Sequence, residues 1–256
     1  MKVSEVFKNI DSLSKNTEFL PTGFPQVDEF LDGGLLHKEL IVLGGASGSG
    51  KSFLAGQIFF NIAKQGFYSA YFSLEISNEM VVSRLMGQIA NIKPTRIMAG
   101  LLDSKELDLK MKARAKVSAF ENSMDFYDDI YQLEEMKKII KTGGYEFVVI
   151  DFIQNVVCPG DEYTRLSTTA LELQRLAKEC NCCILVLSQL SNQAARSGIA
   201  EYKGSGSIAT VCDLGFFIER DPEDKQKMIL ALRKNRRGIS NQGFPLQFAI
   251  PGGKII

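Results

Sequence analysis

The sequence predicts an α/β fold with a mostly parallel central sheet covered by helices on both faces. Three observations carry that expectation. From Glu39 onward, short apolar segments alternate with longer helical patterns. The apolar segments are continuous rather than alternating, as in strands buried on both faces. A glycine-rich loop also stands between one such segment and the helical pattern after it. At 256 residues the chain can bury a substantial core by itself.

Residues 3–14 place Val3, Val6, Phe7, Ile10 and Leu13 at helical spacing among Lys, Asp and Ser. This is an amphipathic helix with nothing local to pack on. The polar stretch Ser14–Glu18 connects it to the rest, so the expected division is 1–18 for helix and connector and 19–256 for the main domain. Pro21-Thr22-Gly23-Phe24 and a short helical run ending at Asp32-Gly33-Gly34 follow, the glycines acting as a stop. Strands are expected at Leu40–Leu43, Ser69–Ser73, Phe147–Ile150, Ile184–Leu187, Leu214–Ile218 and Met228–Leu232. Helices are expected at Ser52–Lys64, Asn78–Ala90, Asp103–Glu121 and Glu162–Cys180. In the last, Leu166, Ala170, Leu173, Leu176, Ala177 and Cys180 share one face. The polar stretch Ser191–Ser207 is long for a loop, which marks it as functional.

Thirty basic residues balance thirty acidic ones, against a monomer that coats nucleic acid by bulk charge. A few basic residues per subunit focused by an oligomer remain compatible with that balance. The single histidine, His37, excludes any site needing two from one chain and reads as a surface loop residue. No apolar run approaches the roughly 20 residues that cross a bilayer, and no membrane partner is expected. The amphipathic, charged start does not read as a signal peptide. Five cysteines, three of them at 180, 182 and 183, fit reduced, mostly buried thiols in a cytoplasmic protein better than a disulfide framework.

Gly45-Ala46-Ser47-Gly48-Ser49-Gly50-Lys51-Ser52 matches G-x-x-x-x-G-K-[ST] in the right context, after the strand ELIVLG and before the helix SFLAGQIFFNIAK. The glycines let the backbone curl so that successive N–H groups converge on phosphate oxygens, and the helix start adds its positive dipole end. Lys51 is expected at the β- and γ-phosphates of ATP and the Ser52 hydroxyl on Mg²⁺. Four apolar residues precede Asp151, which is expected in the outer shell of the same ion. Glu75, just past the strand ending at Ser73, is placed to orient and deprotonate an attacking water. It stands at the sheet edge where α/β ligands bind. Gln189 closes the strand CILVLSQ in the same way and can sense the γ-phosphate.

Several of these segments, in this order, resemble DnaB-type replicative helicases. They are Pro21–Phe24, the phosphate loop, Phe72-Ser73-Leu74-Glu75, Val149-Ile150-Asp151, Leu187-Ser188-Gln189-Leu190, Gly206-Ser207-Ile208 and Lys234-Asn235-Arg236-Arg237-Gly238. The resemblance runs from about residue 3 to the end and implies a RecA-like P-loop NTPase motor domain. It also implies a homo-oligomeric ring, usually a hexamer, with ATP between neighbours. Glu75 would then be the catalytic base, Gln189 the coupling sensor, and Arg236 with Lys234 the cations reaching a neighbour's γ-phosphate. Arg84 would pack on the adenine. The first helix resembles the family's linker helix, whose apolar face docks on the next subunit; packing on its own domain is the other use of that stripe. In the family's DNA loop, Lys203 would meet a phosphate of single-stranded DNA. The backbone of Ser205, Gly206 and Ser207 would approach the sugar–phosphate chain, with Gly204 between and Arg196 as a further contact. Primase or a helicase loader are the partners so implied.

The match has departures. These residues correspond to the family's motor domain and not to its primase-binding N-terminal domain. The phosphate loop is glycine-richer than in these helicases and resembles RadA- and KaiC-type relatives. Gly204 stands where the helicases commonly carry an acid. The alternative reading is therefore a RecA-family ATPase that remodels proteins or recombination intermediates.

Overall fold

A computed structural model of the chain describes residues 2–16, 18–189 and 206–256. Helix α1 spans Val3–Asn16, and its Val3, Val6 and Phe7 are exposed, so this part of the stripe does not pack on its own domain. A small antiparallel ribbon, β1 (Phe19–Leu20) and β2 (Leu35–Leu36), brackets helix α2 (Pro25–Phe30).

The main sheet begins with β3 (Leu40–Gly45) and α3 (Lys51–Ala63), then β4 (Ser69–Ser73) and α4 (Asn78–Ala90). Helix α4 stops where Asn91 turns left-handed, at φ 55°. Helices α5 (Pro94–Ala99) and α6 (Ser104–Ser118) follow, the latter started by a reciprocal capping box between Asp103 and Glu106. Next come β5 (Met124–Tyr127), α7 (Leu133–Gly143), β6 (Phe147–Asp151), α8 (Glu162–Glu179) and β7 (Cys183–Gln189). After α9 (Gly206–Val211), strands β8 (Leu214–Arg220), β9 (Lys227–Asn235), β10 (Gln242–Ala249) and β11 (Lys254–Ile255) end the chain.

These strands form one nine-stranded sheet in the order β11-β10-β9-β8-β3-β7-β6-β4-β5. From β8 to β5 every pairing is parallel, and β9, β10 and β11 extend the sheet antiparallel. Residues of β3, β4, β6 and β7 are almost all buried because helices cover both faces. On one face α3 buries Leu54, Phe59 and Ile62 against Tyr71, Val149 and Leu185. On the other, α7 and α8 bury Met136, Ile140, Leu166 and Leu173 against Val148, Ile150 and Val186. Each such side chain contributes about 1.5–3 kcal/mol relative to exposure.

All six predicted strands and all four predicted main-domain helices form. The predicted helix to Glu121 ends sooner, at Ser118, and residues Glu121–Ser123 make a 3₁₀ turn leading into β5. Strand β10 was not predicted because Pro245 interrupts it, and proline lacks the ladder N–H. Proline is tolerated there because β11 pairs only at Phe248 and Ala249, leaving that side of Pro245 open. The missed helix α7 did carry a readable signal: Leu133, Met136 and Ile140 on one side and Gly144 as a left-handed stop.

Candidate active site

The carboxyl ends of the parallel strands bring nine of the predicted site residues to one cavity of ≈ 280 Å³. Lys51, Ser52, Glu75, Arg84, Asp151 and Gln189 all line it. Strand register explains the convergence, since Gly45 stands opposite Gln189 on one side and Ser73 opposite Asp151 on the other.

The loop from Gly45 to Ser52 turns through two left-handed glycines, Gly48 at φ 73° and Gly50 at φ 102°. A Cβ on Gly45 would approach Ser49 Oγ to 2.6 Å, so a side chain there would turn the Ser49 hydroxyl out of its place in the loop. Helix α3 has no side-chain cap, which leaves its first N–H groups facing the loop for an anion. Ser49 Oγ is buried with no protein partner among the described residues, a polar atom that a ligand in the loop can satisfy. Lys51 is only 8% exposed; its Nζ donates to the carbonyl oxygens of Gly45 (2.9 Å) and Ala46 (3.0 Å). Burial lowers its pKa, opposed by the charges of Asp151 and Glu75.

Asp151 is 2% exposed. The Tyr71 hydroxyl donates to its Oδ2 at 3.0 Å, and Ser52 hydrogen-bonds it as well. Burial pushes its carboxyl above the usual range, with both hydrogen bonds pulling the other way. A hydroxyl and a carboxylate side by side are the hard oxygen donors that Mg²⁺ takes beside phosphate oxygens, so these residues fit that ion. Glu75 is held on a braced turn. Leu74 N–H donates to Asp151 O (2.7 Å), Asn155 Nδ2 donates to Leu74 O (2.7 Å), and Ser73 Oγ donates to Ile76 O (2.6 Å). Gln189 is steadied by Gln154, whose Nε2 donates to Ser188 Oγ at 3.1 Å.

Two cation–aromatic pairs flank the cavity. Arg84 lies 4.9 Å over the Phe53 ring, and Arg220 lies 4.5 Å over Phe248. Arg220 Nε also donates to Ser49 O at 2.8 Å, which ties the loop to the end of β8. The sequence reading missed Arg220, Phe248, Phe53 and Tyr71. Arg220 was recoverable: it closes β8, the parallel neighbour of β3, as Gln189 closes β7. Phe248 was not, because β10 was not predicted.

Arg236 and Lys234 lie elsewhere. Leu214 pairs with Asn235 on one side and Ile41 on the other, which puts them at the amino end of β3. Four residues of strand, about 13 Å, separate Ile41 from Gly45. Arg236 there pairs with Asp213 Oδ1 (2.8 Å) and donates to Thr210 O (2.8 Å), to which Lys234 Nζ also donates (2.7 Å). Arg237 instead locks the base of the sheet through an ion pair with Glu39. Gly206 and Ser207 open α9. Arg196, Lys203, Gly204 and Ser205 lie outside the described residues. His37 is half-buried, its Nδ1 2.9 Å from Asn181 O, and Cys182, Cys183 and Cys212 are buried free thiols. Among the described residues no helix is long and apolar enough to cross a membrane.

The family model for the DnaB-like helicase C terminal domain matches residues 20–249. The replicative DNA helicase DnaB of Treponema pallidum is 27% identical over 229 residues, covering 84% of this chain and 51% of that protein. The chain spans about half the length of the curated relatives it matches. Among solved structures, a DnaB-like replicative helicase, determined with its interactions with primase, superposes at a TM-score of 0.84. Identity there is 19%, covering 99% of this chain and 65% of that one. A KaiC-like protein of Pyrococcus horikoshii superposes less closely, at a TM-score of 0.64 and 16% identity. Both likenesses give the RecA-like α/β fold.

Proposed function

Since the chain belongs to the DnaB-like helicase C-terminal domain family, we propose that it is the ATP-hydrolysing motor of a ring helicase that grips the backbone of single-stranded DNA. The observation that carries this reading is the convergence of Lys51, Ser52, Glu75, Asp151 and Gln189 on one cavity at the carboxyl ends of the strands. The loop N–H groups and Lys51 hold the phosphates, and the Lys51 ammonium leaves its loop carbonyls to do so. Ser52 and Asp151 would hold Mg²⁺, which would neutralise phosphate charge there. Glu75 accepts the proton of the attacking water, and its braced turn fixes the direction of approach. Gln189 reads the γ-phosphate from the end of β7. Arg84 and Arg220, each already over an aromatic ring, offer cationic faces to the base.

Arg236 and Lys234 serve the neighbouring subunit's nucleotide, since they lie at the opposite end of the sheet from their own loop. Residues 1–18 act as the linker whose apolar stripe, exposed at Val3, Val6 and Phe7, docks on that neighbour, and residues 19–256 as the motor. Arg196 and Lys203–Ser207 contact the DNA backbone, and primase or a loader engages the assembled ring in the cytoplasm. The rival reading, a RadA- or KaiC-like ATPase acting on proteins, is not favoured, because the curated relatives are replicative helicases.

The test is steady-state ATPase with and without single-stranded DNA at low salt, with the oligomeric state measured alongside. Strong stimulation that falls with salt and with Lys203→Ala supports the helicase motor. Turnover indifferent to DNA removes that part of the reading. Normal turnover in Glu75→Gln removes the assigned base. Arg236→Ala should bind nucleotide normally yet lose turnover; retained turnover defeats its role in trans.

A further inference from the structure

A second cavity, of ≈ 360 Å³, lies between α3, α4, the end of α6 and β11, away from the phosphate loop. Its floor is apolar, built from Phe60, Leu85, Ile89 and Phe120, with the two phenyl rings edge to face at 6.1 Å. Its rim carries three exposed lysines, Lys64, Lys116 and Lys254, brought together from three separate elements.

The polar side chains of the wall are already engaged. Gln57 exchanges two hydrogen bonds with the Ile255 backbone (2.7 and 2.9 Å), Asn61 Nδ2 donates to Thr22 O (2.9 Å), and Gln88 Nε2 donates to Phe53 O (2.9 Å) and Gly253 O (3.1 Å). Lys64 Nζ lies 5.5 Å over the Phe60 ring, and with Lys116 and Lys254 it supplies the charge the cavity offers a ligand. Elsewhere on this surface lysines pair with carboxylates: Lys112 with Asp108, Lys137 with Glu134 and Glu172, Lys141 with Glu179. Among the described residues none of the three rim lysines has such a partner within 4.0 Å. Three like charges around one concavity repel each other, and an anion between them relieves that repulsion.

We infer that this cavity binds a small amphipathic anion, a phosphate or carboxylate carried on a flat apolar body. The size suits a small molecule, the phenyl rings suit its body, and compact ammonium groups suit a terminal anionic group from several sides. Gln88 connects the cavity to the active site, because it bonds the carbonyl of Phe53, the residue after Ser52 and the ring under Arg84. Occupancy would therefore shift nucleotide affinity. That consequence rests on the proposed function; the binding itself does not.

The probe is 1-naphthyl phosphate, titrated against the whole chain and followed by the side-chain amide resonances of Gln57 and Gln88. Saturable binding at one site per chain is expected, clearly tighter than that of inorganic phosphate or uncharged 1-naphthol. Lys64→Glu with Lys116→Glu should weaken it about tenfold, equivalent to roughly 1.4 kcal/mol. Lys64→Arg with Lys116→Arg should retain it, and Lys51→Ala should leave it unchanged. All these lysines but Lys51 are exposed, so circular dichroism should report an unaltered fold. Unchanged affinity in the charge-reversed variant, or equal binding of 1-naphthol, would overturn the assignment. Loss of binding in Lys51→Ala would place the probe in the phosphate loop instead. A changed oligomeric state with unchanged probe binding would make the cavity a subunit contact, and the inference would fail.

Discussion

Replacing Tyr71 by phenylalanine removes one hydroxyl from a nearly sealed place and leaves the ring packing intact. Tyr71 is 1% exposed and Asp151 2%, with the phenol donating across 3.0 Å. Burial and the adjacent Asp151 charge raise the phenol's pKa well above its usual value, so it stays a donor at every working pH. The partner's protonation is what changes. Burial raises the Asp151 pKa above the ordinary 3.8, and the Tyr71 bond is one of the interactions that restrain the rise. A carboxyl with a raised folded pKa favours the folded state most fully below its unfolded pKa, and that contribution is lost as pH rises through the folded value. Without the hydroxyl the folded value rises further, and the ionised site becomes more costly. A hydrogen bond to a charged acceptor is worth about 1.5–3 kcal/mol, and one between neutral groups about 0.5–1.5 kcal/mol. Tyr71→Phe should therefore lose about 1.5–3 kcal/mol where Asp151 is ionised, and about 0.5–1.5 kcal/mol where it is protonated. Urea denaturation of the pair across a pH series measures both, provided the slopes agree. A deficit of the same size at every pH would refute the coupling.

Arg220→Ala should weaken binding of a non-hydrolysable ATP analogue about tenfold, since one hydrogen bond and one stacked cation are together worth roughly 1–2 kcal/mol. Titration calorimetry reads this directly, and an unchanged Kd would mean that the loop backbone holds Ser49 unaided. Phe59→Ala should cost about 3–5 kcal/mol in chemical denaturation, a core aromatic leaving a cavity behind. Phe59 is 0% exposed and meets both Tyr71 and Phe126 at 5.4 Å, so a loss under about 1 kcal/mol would contradict that packing. Lys51→Ala should abolish turnover without unfolding the chain, because its two hydrogen bonds reach only carbonyls of its own loop. A cooperative melt with no nucleotide binding is the expected pair of results.

The central sheet was legible because its strands are buried on both faces. Leu40–Leu43 or Phe147–Ile150 must be apolar at every position, and such runs stand out without any periodicity. Where burial is one-sided the signal fades. Strand β10 alternates around Pro245, and β5 is four residues long with only Met124 fully buried. The site was legible for the same reason. Glu75, Asp151 and Gln189 follow or close recognisable strands, and parallel register carries strand ends to one edge. Arg84 was placed by resemblance. Phe248 and Tyr71 escaped because one depends on an antiparallel extension and the other is a core residue whose hydroxyl happens to face the carboxylate. Neither role has a local spacing to betray it.

The two ends of the sheet set a constraint on the proposed motor that the separate residues do not. Asp213 holds both Arg236 and the start of β3, where its Oδ2 accepts from Leu40 N–H at 2.9 Å. For Arg236 to reach a neighbour's phosphate it must leave that carboxylate and the Thr210 carbonyl. The Arg236 side chain is 45% exposed, so the ion pair is solvent-screened and worth at most about 1 kcal/mol. An arginine supplied to a phosphoryl-transfer site raises turnover on the order of 10³–10⁵-fold, several times that energy. The Asp213 pairing is therefore strong enough to park the side chain in a lone subunit and weak enough to release it to a ring neighbour. On the proposed function, a single chain would bind nucleotide with its carboxyl-end residues, and hydrolysis would wait for a second chain to bring the amino end of its sheet alongside.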